Sequence, residues 1–225
     1  NVGEAASARQ KQAKKRSLRA VNEHFEPAFN AAMVTQVVFQ RPGKRLPGDL
    51  AMWFFILAEL TVFALLIVTF AVTQAWQPAL FHASRGALDS SIGLALTLSL
   101  LTAGLFAALA QEQVRRGRSR WAGWLLLAAL LAASVYVGLK LSEYQHLLGL
   151  GLGMEHNSFF TLYWILTGFH FLHVLLGMLI LAWLAVRCWR RNQAGDDAVL
   201  ESGVLYWHMV DLIWVLLFPL VYVLN

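Results

Sequence analysis

The sequence predicts an all-α integral membrane protein: a bundle of five transmembrane helices, N-terminus cytoplasmic and C-terminus periplasmic. Three observations predict it. Of 225 residues, 58% are hydrophobic and only 14% charged, well below the roughly 25% charge of a soluble domain. Five windows, at about 50–72, 91–111, 122–142, 159–186 and 204–224, reach the roughly 20 apolar residues that a spanning helix needs. The basic residues alternate between successive connections, as the retention of Lys and Arg on the cytoplasmic side requires.

In chain order, residues 1–44 read as a basic cytoplasmic tail and 45–225 as one membrane domain. The tail has no apolar run ahead of a small-residue cleavage site, so it does not read as a signal peptide. Residues 1–20 read as disordered, and 28–40 as a weak interfacial helix before the break at Arg41, Pro42 and Gly43. The first span places Glu59 well inside the bilayer. The second carries Ser99, Ala103 and Ala107 at four-residue spacing beside Gly104 and Ala108, small residues of the kind that let backbones approach in lipid. Ser134 and Gly138 in the third span, and Gly168 and Gly177 in the fourth, are expected to do the same. The connection at 145–158, with Gly149, Gly151 and Gly153, is expected to be a mobile or re-entrant loop. It is not a dinucleotide fingerprint, which needs a strand before it and a βαβ unit around it. In the fifth span Pro219 falls close to the outer end.

The charges set the orientation. Nine Lys and Arg precede the first span, four (Arg115, Arg116, Arg118, Arg120) lie in the second connection and three (Arg187, Arg190, Arg191) in the fourth, out of 18 in all. Only Arg85 and Lys140 fall on the other side. A multi-pass protein of the bacterial inner membrane is therefore expected. The net charge of +5 is juxtamembrane, suited to anionic lipid, and with no folded basic domain to present it, nucleic acid is not a partner. The single cysteine, Cys188, lies at the cytoplasmic end of the fourth span, where thiols stay reduced.

Ionisable groups inside a bilayer are costly and call for an account. Five stand out: Glu59, His170, His173, His208 and Asp211. Residues three and four apart share a helix face, so Thr167, His170, His173 and Gly177 form one stripe, and Trp207, Asp211, Trp214 and Phe218 another, with His208 one turn from Asp211. These stripes should face neighbouring helices or lipid headgroups. A haem held between His170 or His173 and His208, or an ion pathway, is open on the residues alone. Two carboxylates are few for a bridged metal pair.

Three segments carry a resemblance. Thr167-Gly168-Phe169-His170-Phe171-Leu172-His173-Val174-Leu175-Leu176-Gly177 resembles the TGxHxxHVxxG signature of subunit III of haem-copper oxidases. Tyr206-Trp207-His208-Met209-Val210-Asp211-Leu212-Ile213-Trp214 is similar to that family's YWHFVDxVW segment, and Trp53 to Glu59 to its helix with a buried glutamate. The order is the family's, over roughly 45–225. Larger members have seven spans with a lipid-filled cleft between the first two helices and the rest; this chain resembles the five-span quinol-oxidase branch. Its ending, Leu216 to Tyr222, and Gly48-Asp49-Leu50 resemble most the branch associated with nitric oxide reductase, NorE.

What the resemblance implies is a non-catalytic accessory subunit, with no haem or metal of its own, beside a catalytic subunit that holds both. It implies support for assembly, stability or activity in denitrification; the alternative is subunit III of an aerobic cytochrome c or quinol oxidase. Trp53, Glu59, His170, His173, Trp207, His208 and Asp211 are then expected to form a polar site for bound phospholipid and helix contacts. An independent haem enzyme and a small transporter are the rivals from other classes. Against transport stands the lack of an inverted repeat or of helices broken near the midplane.

Overall fold

The computed structural model describes residues 50–190 and 197–223, and the readings made for residues 1–44 lie outside them. The described helices belong to one compact unit. They are α1 (Leu50–Trp76), α2 (Pro78–Arg85), α3 (Ser90–Arg115), α4 (Ser119–Gly149), α5 (Ser158–Arg190) and α6 (Asp197–Phe218), followed by a π-helical turn, Pro219–Val223. All but α2 are long and apolar enough to cross a membrane. The five expected spans are therefore present, and among the described residues there is no strand.

Local chemistry sets the helix ends. Pro78 opens α2, where its missing N–H is harmless. Asp89 caps α3 by accepting from the Ser91 N–H at 2.8 Å, and Asn157 caps α5 by accepting from the Phe160 N–H at 3.0 Å, each satisfying a helix-end donor. Gly117, at φ 74°, closes α3: its N–H reaches the Val114 carbonyl at 2.8 Å and that of Arg118 reaches Gln113 at 2.9 Å. This left-handed closure folds α4 straight back along α3. Gly151, at φ 73°, ends α4 in the same manner.

Packing follows a ring. α3 packs on α4, α4 on α5, α5 on α6 and α6 back on α3, while α1 leans on the α5/α6 edge. Small residues line the helices that pack most closely, α3 and α4: Ala103, Ala107 and Ala110 on one and Ala122, Ala129 and Ala133 on the other are all fully buried. Close backbone approach of this kind is how helices associate without a hydrophobic driving force. Gly177 behaves as expected, since a Cβ there would lie 2.9 Å from the Trp207 ring.

Other expectations are corrected. Ser134 and Gly138 face outward: the Ser134 hydroxyl turns back to the Leu130 carbonyl at 2.8 Å, and a Cβ on Gly138 or Gly168 would meet open space. The spans are longer than the hydropathy windows; α4 continues to Gly149, two turns past the expected end at 142. Lys140, read as lying on the outer side near the end of its span, is inside the bundle with no exposed surface. The following connection is not re-entrant. It is short and tied to α5, with the Trp164 indole donating to the Leu152 carbonyl at 3.0 Å. The short α2 was not anticipated.

Candidate functional site

The polar side chains gather in three places. The first joins α1 to α5, where His173 Nε2 lies 3.0 Å from Glu59 Oε2. Nδ1 of the same ring is 2.8 Å from the Phe169 carbonyl. A carbonyl only accepts, so Nδ1 carries hydrogen. Nε2 then either accepts a hydrogen bond from a neutral Glu59 or donates one to its carboxylate. Phe63 and Phe169 close around the imidazole, with centroids at 5.2 and 4.6 Å. The Tyr206 hydroxyl donates to the His173 carbonyl at 3.3 Å, which ties in α6. Trp53 is half-buried on α1, nearly two turns before Glu59.

His170, one turn from His173, faces the interior of the ring and is fully buried. Its ring lies 5.1 Å from that of Trp214 and 6.2 Å from that of Tyr136. Neither nitrogen has a hydrogen-bond partner among the described residues.

The second place is the interior toward the far end of α4, and it was not foreseen. Lys140 Nζ donates to Glu143 Oε2 at 2.7 Å, to the Tyr163 hydroxyl at 3.1 Å and to the Tyr222 hydroxyl at 3.0 Å. Tyr222 in turn donates to Glu143 Oε1 at 2.7 Å. The rings of Tyr144, Tyr163, Trp214 and Tyr222 surround the ammonium at 4.9 to 5.6 Å. A buried ion pair holds only when such extra bonds satisfy its remaining donors and acceptors, and here they do. Beside it the Tyr144 hydroxyl donates to Thr167 Oγ1 at 3.0 Å. A sequence signal existed: Ala122, Leu126, Ala129, Ala133, Tyr136, Lys140, Glu143 and Leu147 repeat at three and four residues, one face of a single long helix.

The third place is the outer edge between α3 and α6. Asp211 is buried there and His208 exposed, with Nδ1 3.9 Å from Asp211 Oδ2. Trp207 is fully buried and its indole interacts with the Asp211 carboxyl, but neither Trp207 Nε1 nor Asp211 Oδ1 completes a hydrogen bond of good geometry. The seven predicted site residues are thus divided: Glu59 and His173 meet, Trp53 lies nearly two turns before Glu59 on α1, His170 lies one turn from His173 among aromatic rings, and Trp207, His208 and Asp211 belong to another edge. The histidine pairing considered for a haem is not assembled, because His173 is engaged by Glu59 while His208 lines the α3/α6 groove. Among the described residues no three His, Cys, Asp or Glu come together as metal ligands.

Residues 48–225 match the family described as cytochrome c oxidase subunit III. The chain belongs to that family. Relatives of the subunit III kind cover most of it: the cytochrome bo(3) ubiquinol oxidase subunit 3 of Pseudomonas aeruginosa is 27% identical over 77% of this chain and 83% of its own length. The cytochrome c oxidase subunit 3 of Thermostichus vulcanus is 36% identical over 52% of this chain and 56% of its own length. The haem-copper oxidase subunit I+III of Aeropyrum pernix is 33% identical over 76% of this chain, which spans only 22% of that longer protein. All three motifs lie within the subunit III match, so the Glu59–His173 contact and the α3/α6 edge are parts of a subunit III domain.

Proposed function

We propose that the chain is the non-catalytic subunit III of a haem-copper respiratory oxidase in a bacterial inner membrane, docked on a catalytic chain that carries the haem and metal. The observation that carries this reading is the subunit III match across the whole membrane domain. The geometry agrees in kind: Glu59 binds His173, and Lys140 binds Glu143 and two tyrosines, so these groups hold helices to one another. The basic residues before α1, after α3 and after α5 support a cytoplasmic N-terminus. Phospholipid is the proposed ligand of α1, where Phe54, Leu57, Leu65 and Trp76 stand exposed and Glu59 is only partly covered.

An oxidase partner leads over the nitric oxide reductase that the resemblance implies, because the relatives matched are named as quinol and cytochrome oxidase subunits. The nitric oxide reductase branch retains the support of the segments at 48–50 and 216–222. Affinity purification from the native membrane in mild detergent, with protein identification and a visible spectrum, tests both. The expected result is co-purification of an oxidase catalytic chain, with the isolated chain colourless. A nitric oxide reductase partner would install the second branch, and haem on the isolated chain would overturn the accessory reading.

A further inference from the structure

A groove of about 450 Å³ runs along the outer edge of the ring between α3 and α6, walled by Leu101, Gly104 and Leu105 on one side and His208, Asp211 and Leu212 on the other. Its floor is polar and unfinished. Asp211 is only 6% exposed, yet its Oδ1, although the Trp207 indole interacts with the carboxyl, completes no hydrogen bond of good geometry among the described residues. Oδ2 rests on Gly104, where a Cβ would collide with it, and stands 3.9 Å from His208 Nδ1, beyond hydrogen-bond reach. Each wall repeats at i, i+3 and i+4, so the groove has the form of two adjacent helix faces awaiting a third.

Depth decides what can fill it. Asp211 lies at the middle of the span Ala198–Val223, and Gly104 at the middle of Ser90–Arg115. With a hydrocarbon core about 30 Å thick, a phospholipid headgroup stops roughly 15 Å short of this carboxyl, and an acyl chain carries no donor. A second membrane-spanning helix reaches it and can bring one. One relative is named as subunit I and subunit III in a single protein, which points to the catalytic chain as the source. We propose that the α3/α6 groove seats a transmembrane helix of the catalytic subunit, which brings a hydroxyl, amide, indole or cationic donor to Asp211 across the notch at Gly104. This rests on the subunit III reading and adds to it the docking edge and the recognising group.

The test uses the full complex. A photoreactive benzophenone amino acid replaces Leu105 or Leu212, which are 57% and 56% exposed on the groove walls, and Leu131, 64% exposed on α4, serves as reference. Positions 105 and 212 should crosslink to the catalytic chain at least tenfold more than 131. Leu105→Trp fills the groove from an exposed wall, and Asp211→Leu removes the acceptor. Each should lower the co-purified catalytic chain at least tenfold, Leu105→Trp without changing the Tm of the isolated subunit. Crosslinks from 131 alone would overturn the groove assignment, as would adducts at 105 and 212 that prove to be a second copy, a quinol or lipid. An intact complex with Leu105→Trp would overturn it as well. Absence of any haem-bearing chain from the wild-type complex would instead overturn the subunit III reading on which it rests.

Discussion

Lys140 spends all three of its ammonium hydrogens inside the bundle, on Glu143, Tyr163 and Tyr222. Removing one member of such a pair strands a charge in low dielectric, which typically costs about 3–5 kcal/mol, whereas replacing both with apolar groups is often neutral. Lys140→Met is therefore expected to destabilise the detergent-solubilised chain by about that amount, and the double change Lys140→Met with Glu143→Leu to recover most of it in a thermal unfolding series. At the other polar centre, Glu59→Gln keeps a donor for His173 Nε2, and Glu59→Leu leaves that nitrogen without a partner. The first should stay within roughly 0.5 kcal/mol of wild type and the second lose about 1–3 kcal/mol; equal losses would mean that Glu59 works as a carboxylate there. Glu59 and His173 were both legible as costly residues, but their meeting was not, because helices far apart in sequence choose neighbours by packing and not by any local pattern. Lys140 and Glu143 are missed for a different reason: the positive-inside pattern reads a basic residue near the end of a span as a marker of sidedness and says nothing of a partner inside the bundle.

At the scale of elements, α2 and the start of α3 act as a clasp on the π-turn that follows α6. Pro219 lacks the N–H that would continue α6, and the backbone widens into a π-turn there. The carbonyls of this turn, of the kind a helix end leaves without an intrahelical donor, are collected from outside: Arg85 Nη2 donates to Leu220 at 2.8 Å, Arg85 Nε to Val221 at 3.1 Å, and Ser90 Oγ to Tyr222 at 3.3 Å. A further bond from Arg85 Nη2 to Gln74 Oε1, 2.9 Å, anchors the clasp to α1. Burial pulls the guanidinium below its ordinary value, yet arginine stays charged throughout the physiological range. The charged form is lost only as pH rises through that lowered value, so the clasp should hold unchanged between about pH 6 and 8. Arg85→Leu is expected to raise hydrogen exchange at 220–223 at least tenfold while the middle of α4 keeps its protection. Exchange rising equally across α4 would show that Arg85 supports the whole bundle. Five span positions were readable from apolar length, and Gly177 and the α3 alanines from spacing. The helix extensions and α2 were not, because hydropathy senses lipid and helices continue beyond it, and because Ser134, Gly138 and Gly168 share the composition of packed small residues without sharing their face.

For the whole molecule, five spans among the described residues would place the start of α1 and the end of the π-turn on opposite sides of a membrane. The basic connections predict that alkaline phosphatase fused after Asn225 is active in cells and that a fluorescent protein there is dark; the reverse pattern would invert the proposed topology. The family was legible from three short motifs because they bear polar residues at depths where few sequences carry any, whereas the partner was not, since the motifs belong to the subunit and not to the reaction beside it. One feature of the ring reaches into its biosynthesis. α1 packs on α5 and α6, the last of the described helices to be made, and only 17% of its apolar window is buried. About 110 residues separate the end of α1 from the end of α5, so at roughly 5–20 residues per second the helix waits on the order of ten seconds in lipid before its partners exist. Glu59 passes that interval without His173, and the nascent chain is therefore expected to depend on the insertion machinery to shelter its first helix, a dependence that Glu59→Leu should relieve even as it weakens the finished protein.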